Sequence, residues 1–349
     1  MANKPALDLA VLRSALAEAG MPWQMAETPL TRMSQEEREI RLGVPLPESL
    51  DDSPEAIQAA ATLALGAKAE DIGAPASFDV RNVGGVNYDT AIKNQGGCGS
   101  CVAFGSAGAM EVVFRYSRRT TLPLDLSEAH LFYKYARDEG RNCGNGWWPD
   151  RALLHARDSG VTFEDYFPYT AGDQDASQLN ADWPNRYAKA SAFEVITGNP
   201  AKMKEYISTY GAVTACLVVY NDFFSYRTGV YRHVTGGVAG GHCVLLIGYN
   251  DADGYWIGRN SRGPGRADGG YFKIAYGECN IEGYQTVGIS GVTVNAWLPN
   301  QQVFGLWSNE YDANAWTYGS QRGWLKLDSG NAVTNQAMLS ELAAAKAMG

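Results

Sequence analysis

The chain has 349 residues, 45% of them apolar, which leaves room for more than one domain and for a sizeable core. Its formal charge of −9 argues against nucleic acid or an anionic membrane as partner, since both would repel it. No apolar run reaches the length of a membrane span, and the N-terminus lacks the basic start and apolar run of a secretory signal.

Residues 1–73 read as a helical region distinct from the rest of the chain. Residues 7–19 and 34–42 have the pattern of charged amphipathic helices, and 56–66 that of an alanine-rich one, punctuated by Pro29, Pro45 and Pro47. Asp71-Ile72-Gly73-Ala74-Pro75 reads as a linker. Next comes Asn94-Gln95-Gly96-Gly97-Cys98-Gly99-Ser100-Cys101-Val102-Ala103-Phe104, whose glycines suit a tight loop carrying backbone amides close to another molecule. Phe104, Ala107, Met110, Val113 and Phe114 then recur at helical spacing. Cys101 thus falls in the first turn of a long helix, where the dipole favours a thiolate.

Short apolar runs at 213–220, 243–249 and 255–258 read as strands. A helical half followed by a strand-rich half makes residues 74–298 an α+β domain, with a site expected where the halves meet. Residues 299–349 differ again. Trp307, Trp316 and Trp324 lie near Tyr311 and Tyr318, Gly319-Ser320-Gln321-Arg322-Gly323 reads as a hairpin loop, and Thr334 caps a final helix carrying Met338, Leu342 and Ala345. The segment reads as a β appendage stapled by aromatics; a carbohydrate- or peptide-docking surface is the alternative.

A nucleophilic cysteine needs a base, and the base an orienter. Of four histidines, His130 sits at a helix start, His155 within a helix and His233 in a polar loop, which suits structural or solvent-exposed roles. His242 differs: Gly240-Gly241-His242 feeds directly into an apolar strand, so the ring is held rigidly yet reachable. The following strand delivers Asn260, and the intervening Asn250-Asp251-Ala252-Asp253-Gly254 reads as a hairpin that brings His242 and Asn260 to one edge. Cys98 and Cys101 form a Cys-x-x-Cys suited to a redox pair or half a metal site; without a second pair or a histidine cluster, metal is disfavoured.

The order Cys101, His242, Asn260 with these flanks resembles the papain-like cysteine peptidases. That family's motif is Cys-Gly-(Ser/Ala)-Cys-(Trp/Tyr) with His and Asn about 130–150 residues downstream; here the intervals are 141 and 159 residues. Pro75-Ala76-Ser77-Phe78-Asp79-Val80-Arg81 resembles the family's mature start, Leu126-Ser127-Glu128 a family helix start, Cys143-Gly144-Asn145-Gly146-Trp147 its glycine-rich substrate loop and Gly269-Gly270-Tyr271-Phe272-Lys273-Ile274 the strand after the asparagine. The resemblance, to a bacterial-type member with an N-terminal prosegment and a C-terminal appendage, covers about residues 75–298.

It implies a papain-like two-subdomain fold, a helical half and a β-barrel-like half with the cleft between them. Cys101 would attack the peptide carbonyl as a thiolate paired with protonated His242, Asn260 would orient the ring, and Gln95 would donate to the oxyanion. Asn145 and Gly146 would pair with an extended substrate, with Trp148, Cys216, Gly241, Cys243 and Tyr284 at or near the walls of the specificity pocket, suited to an apolar or aromatic side chain. Cys98 and Cys143 would form a disulfide, Cys216 and Cys243 would be core thiols, and Cys279 lacks an evident partner. Neither a cofactor nor a metal is implied.

Three positions depart from the family: Val102, Arg262 and Arg266 stand where tryptophans are usual. The departures imply a wetter, more cationic surround for His242, with a weaker or narrower pH profile. Residues 1–73 occupy the place of the family's inhibitory prosegment; a plain solubilising or targeting extension is the alternative. The expected function is a cysteine endopeptidase made as a zymogen, a monomer acting on extended polypeptide and blocked by its own prosegment. A transpeptidase or amide ligase on the same triad, a catalytically weak peptide-binding homologue and, more distantly, a thiol–disulfide oxidoreductase are the competing readings. Location stays open, because the disulfide favours an oxidising compartment while no secretory signal is visible.

Overall fold

The computed structural model describes residues 7–265 and 267–295, and, further on, 303–308, 315–319, 323–327 and 342–343. The chain divides into two compact units, Met1–Asn295 and Ala296–Gly349. Among the described residues no helix is long and apolar enough to cross a membrane.

In the first unit three helices precede the main body: α1 (Leu9–Glu18), α2 (Gln35–Glu39) and α3 (Pro54–Gly66). A short strand, β1 (Trp23–Met25), lies between the first two. Each helix starts where its sequence provides a cap. Asp8 accepts the amides of Ala10 and Val11, Ser34 and Glu37 close a reciprocal capping box, and Ser53 accepts Ala56 N–H with Pro54 in the first helical position.

The helical half centres on α4 (Cys101–Ser117), and includes α5 (Pro149–Asp158) and a π-helical turn at His130–Ala136. From Cys101 to Val113 every residue of α4 is buried, so the helix is packed all round rather than amphipathic. The strands before the large sheet's core are β2 (Ser77–Asp79), β3 (Val161–Thr162), β4 (Tyr187–Ala190) and β5 (Phe193–Val195), followed by α6 (Pro200–Tyr210). The core strands are β6 (Val213–Tyr220), β7 (Tyr226–Tyr231), β8 (Val238–Asn250), β9 (Tyr255–Arg259), β10 (Tyr271–Ala275) and β11 (Thr286–Ile289). They form one sheet in the order β1-β7-β10-β9-β8-β6-β11-β5, with β2 also paired to β8; β7 and β10 run parallel, and the other pairings are antiparallel. The last strand of the unit, β12 (Val292–Asn295), pairs with β4. The three strands expected from apolar runs are β6, β8 and β9, and β8 starts five residues earlier than expected because Val238–Gly241 pair with β6 despite two glycines.

Two hydrophobic clusters share the sheet between them. One surrounds α4; the other, on the strand half, contains Phe223, Tyr231, Tyr249 and Trp256 together with Leu12, Leu16, Trp23, Leu30, Ala64 and Ala69 from the N-terminal segment. That segment therefore completes a core rather than decorating one. Trp23 is 1% exposed, stacks at tilted angles on Tyr226 and Tyr231, and donates its indole N–H to Arg232 O at 2.8 Å.

The second unit contains an antiparallel meander of β13 (Val303–Ser308), β14 (Ala315–Gly319) and β15 (Gly323–Leu327). In register, Trp307 faces Trp316, Tyr318 faces Trp324, and Gly319 faces Gly323 across the expected turn, whose residues 320–322 lie outside the described ones. Tyr311, Thr334, Met338 and Ala345 also lie outside them, and with them most of the expected final helix.

Candidate active site

The loop ahead of α4 is fastened on two sides. The disulfide Cys98–Cys143 ties it to the glycine-rich loop, and Gly99 N–H donates to Cys143 O at 3.0 Å. On the other side Gln95 meets the segment after β9: its N–H donates to Ser261 O at 2.9 Å, and its side-chain oxygen accepts Ser261 Oγ at 2.6 Å. Below, Lys93 is largely enclosed between Asp125, Glu128 and Glu111 at 2.6, 2.9 and 3.3 Å. Ser261 and this carboxylate-bound lysine carry no motif of their own, and a reading of local patterns passes over both.

Cys101 opens α4 and has no exposed surface. Its sulfur accepts the N–H of Cys243 at 3.3 Å. On β8, the neighbouring His242 is also fully buried, and its Nε2 lies 2.9 Å from Asn260 Oδ1. Asn260 Oδ1 also accepts Ser261 N–H at 2.8 Å, which fixes the amide's orientation and makes the ring the donor. The proton therefore sits on Nε2, and Nδ1 keeps a lone pair with no hydrogen bond among the described residues.

The cleft between the halves is filled by residues 41–45. The Gln95 side-chain amide donates to Arg41 O at 2.9 Å and to Cys98 O at 2.8 Å. Trp147 N–H donates to Gly43 O at 2.9 Å, Val44 N–H to Gly241 O at 3.1 Å, and Tyr284 Oη to Pro45 O at 2.6 Å. The segment is so close to both walls that a Cβ on Gly43 would lie 1.9 Å from Gly99 O, and one on Gly146 2.2 Å from Gly43 O. Trp148 and Tyr284 meet edge to face with centroids 6.3 Å apart. Gly146, Gly241 and Tyr284 thus converge on this stretch, with Trp148 beside Tyr284. Asn145 does not join them: its side chain is exposed and bonds its own loop at Asn142 N and Gly140 O. Cys216 and Cys243 are buried, directly opposite each other on β6 and β8.

Burial decides the protonation states. It pushes the Cys101 thiol up to about 12, with Cys243 adding to the effect, while the main-chain N–H groups of Cys243 and Gly43 and the Arg262 guanidinium pull the other way. Burial also lowers His242 to about 3, Arg262 adds to the drop, and only the Asn260 hydrogen bond opposes it. In the covered site burial thus favours a neutral thiol and a neutral imidazole. His242 has no exposed surface there, and Leu30 and Thr28 of the N-terminal segment line, with Phe224, a cavity against Asn260 and Arg262. The cationic part of the surround expected for His242 matches Arg262, which is 8% exposed; Arg266 lies outside the described residues. Val102 is fully buried. Trp147 donates to Glu139 Oε2 at 2.9 Å in the helical half.

The other histidines have structural partners. His130 Nδ1 accepts Thr162 N–H at 3.0 Å, His155 lies 2.8 Å from Glu139, and His233 lies 3.2 Å from Asp222. Cys279 is a buried free thiol.

Residues 74–289 match the family described as papain family cysteine protease, and the chain belongs to that family of hydrolases. It is 35% identical over 227 residues to the cathepsin B-like CP3 of Giardia intestinalis, covering 60% of this chain and 72% of that one. It is 30% identical over 243 residues to a gut-specific cysteine proteinase of Caenorhabditis elegans, covering 60% and 71%. Among solved structures, procathepsin B S9 of Trypanosoma congolense has the same fold, with a TM-score of 0.66 at 21% identity over 82% of this chain and 98% of that one. Digestive procathepsin L 3 of Tenebrio molitor has a TM-score of 0.61 at 22% identity, over 80% and 87%.

Proposed function

We propose that the chain is a cysteine endopeptidase synthesised as a self-blocked precursor. The observation that carries this reading is the path of residues 41–45, hydrogen-bonded to both walls of the cleft above Cys101. The block is chemical as well as steric. The main-chain N–H of Gly43 lies near the thiol, and the Gln95 side-chain amide is occupied by Arg41 O.

With the cleft cleared, water lowers the Cys101 pKa and raises that of His242, which favours proton transfer from sulfur to Nδ1. The thiolate adds to the substrate carbonyl, and the oxyanion is taken by the Gln95 amide and the N–H of Cys101 at the start of α4. The C–N bond breaks as His242 gives its proton to the leaving amine, leaving a thioester. His242 then takes a proton from water, which adds to the thioester and releases the acid and the thiol. Asn260 holds the ring through Nε2, so that Nδ1 carries the moving proton.

The test pairs fluorogenic-peptide hydrolysis with alkylation by an epoxysuccinyl reagent on the processed protein. Labelling and turnover that both vanish in Cys101→Ala support the reading. Labelling without turnover of any peptide points to a binding homologue.

A further inference from the structure

The N-terminal segment is held by two unlike anchors. Residues 7–45 dock through Trp23 and thread the cleft. Residues 53–73 never enter it; α3 lies instead on the strand half, against α6 and the turn at Glu278–Asn280. Its C-terminal end is received by an interior cation. Lys204 of α6, with no exposed surface, donates to Ala64 O and Ala67 O at 2.7 Å each, the last carbonyls of that helix. The same ammonium pairs with Asp251 at 2.7 Å and lies 4.8 Å from the Tyr276 ring centroid, while the other Asp251 oxygen accepts Ala69 N–H at 2.9 Å. Gly277 has a positive φ of 82°, and a Cβ there would meet Ile57 O at 2.4 Å. Without α3, Lys204 would lose two of its oxygen partners inside a ring of aromatics.

Between the anchors runs Leu46-Pro47-Glu48-Ser49-Leu50-Asp51. It has no helix or strand, and among the described residues its backbone makes no hydrogen bond to another backbone group. Leu46 is 45% exposed, and Glu48, Ser49 and Asp51 are exposed too. The second anchor starts at Asp52, whose carboxylate accepts Tyr220 Oη at 2.9 Å. The alternative junction, at 69–76, is exposed at 70–73 and 75–76 too, but its backbone is bonded: a 3-10 turn spans Ala69–Ile72, Ala74 N–H returns to Ala69 O, Pro75 O accepts Tyr249 Oη, and Ala76 O accepts Asp251 N–H. A peptidase needs an extended stretch able to leave its place; Leu50 packs against the strand-half core, yet the backbone of 46–51 is the less bonded of the two stretches.

We infer that the activating cut falls within residues 46–51 and that residues 53–73 remain on the mature enzyme as a structural part of it. The inference rests on the precursor reading above. Because each chain's own cleft is filled by residues 41–45, the peptide bond is hydrolysed by another, already opened copy.

The test uses the full-length Cys101→Ala chain, which cannot cut itself. It is treated in one arm with a trace of processed wild-type protein and in another with a broad-specificity serine protease. N-terminal sequencing and denatured intact mass read the first stable product. The expected new N-terminus lies at 47–52 in both arms, with further conversion to a start at 70–77 at least about tenfold slower. In Lys204→Met that second conversion should come within about threefold of the first. A first stable product starting at 70–77 in wild-type sequence at Lys204 overturns the inference, and so does an unchanged second conversion in a folded Lys204→Met chain. Asp251→Asn serves if Lys204→Met does not fold. Failure of the self-cleavage arm alone sinks the endopeptidase reading, while the serine-protease arm still decides the boundary.

Discussion

The side-chain amide of Gln95 donates to the main-chain carbonyl of Arg41 at 2.9 Å. A donor proposed for the reaction is thus spent on the chain's own backbone until residues 41–45 leave. In the processed protein, Gln95→Ala should lower kcat roughly a hundredfold to a thousandfold with KM little changed. Steady-state kinetics on one peptide checks this. Because Gln95 also accepts Ser261 Oγ, thermal unfolding should be run alongside, to separate a lost donor from a loosened loop.

Gly43 has no room for a side chain, its missing Cβ lying 1.9 Å from Gly99 O. Gly43→Val should expel residues 41–45 without touching the rest of the fold. The full-length variant should then be alkylated at Cys101 at least about tenfold faster than the wild-type precursor. Equal alkylation rates would contradict a block that depends on this contact.

The closed site should be weakened by acid and by alkali. His242 sits at about 3 when covered, against about 6.5 when free. Between those values the open form binds a proton that the closed form refuses, so closure weakens as pH falls through that window, by up to about 1.4 kcal/mol per unit. Cys101 works in the opposite direction. It is held at about 12, against about 8.5 when free, so the open form loses a proton that the closed form keeps, and closure weakens as pH rises through that range. Hydrogen exchange at the Val44 amide, corrected for intrinsic rate, should be slowest between the two limbs of the processed protein's own pH profile, where the open site, like the closed one, holds a single proton. A monotonic profile would sink this account.

Arg262 lowers the pKa of His242 and also favours the Cys101 thiolate. Replacing it with glutamine should raise both values, moving both limbs of the bell-shaped kcat/KM profile of the processed protein to higher pH. Limbs that stay in place would show that the charge is screened in the open cleft, and limbs that move to lower pH would contradict this account.

The disulfide Cys98–Cys143 closes a loop of 45 residues. By chain entropy such a closure stabilises by about 4 kcal/mol. The double variant Cys98→Ser, Cys143→Ser should lose a comparable amount in denaturant unfolding, and its glycine-rich loop should be cut sooner by added protease.

What could be read in the linear chain was whatever had a local signature. Cys101 at a helix start, His242 after two glycines and Asn260 beyond a hairpin are all adjacent to their structural cause, as are the apolar runs of β6, β8 and β9. The occupant of the cleft was not legible at this level of detail. Residues 41–45 bind mainly through main-chain N–H and C=O groups, which every sequence possesses, so only the glycine at 43 hints at the fit. Burial of His242 was missed for the same reason. The shielding tryptophans are absent, and the N-terminal segment comes up beside the ring instead, with Val44 bonded to Gly241 next to it and Thr28 and Leu30 against Asn260 and Arg262. Lys204, one more polar residue in an amphipathic helix by pattern, is a buried clamp because tertiary packing overrides the pattern.

The strand that Trp23 begins lies at the end of its sheet, with Trp23 opposite Gly229 and Gln24 opposite Thr228. When residues 7–45 depart, β7 becomes the terminal strand, and the main-chain groups that β1 had satisfied face water. A bare strand of this kind recruits any extended backbone that fits. On the proposed activation the molecule would bare a strand that its precursor covers, open to the peptide just released and to the same strand of a second molecule. Activation and self-association draw on a single strand, and dilution should separate them.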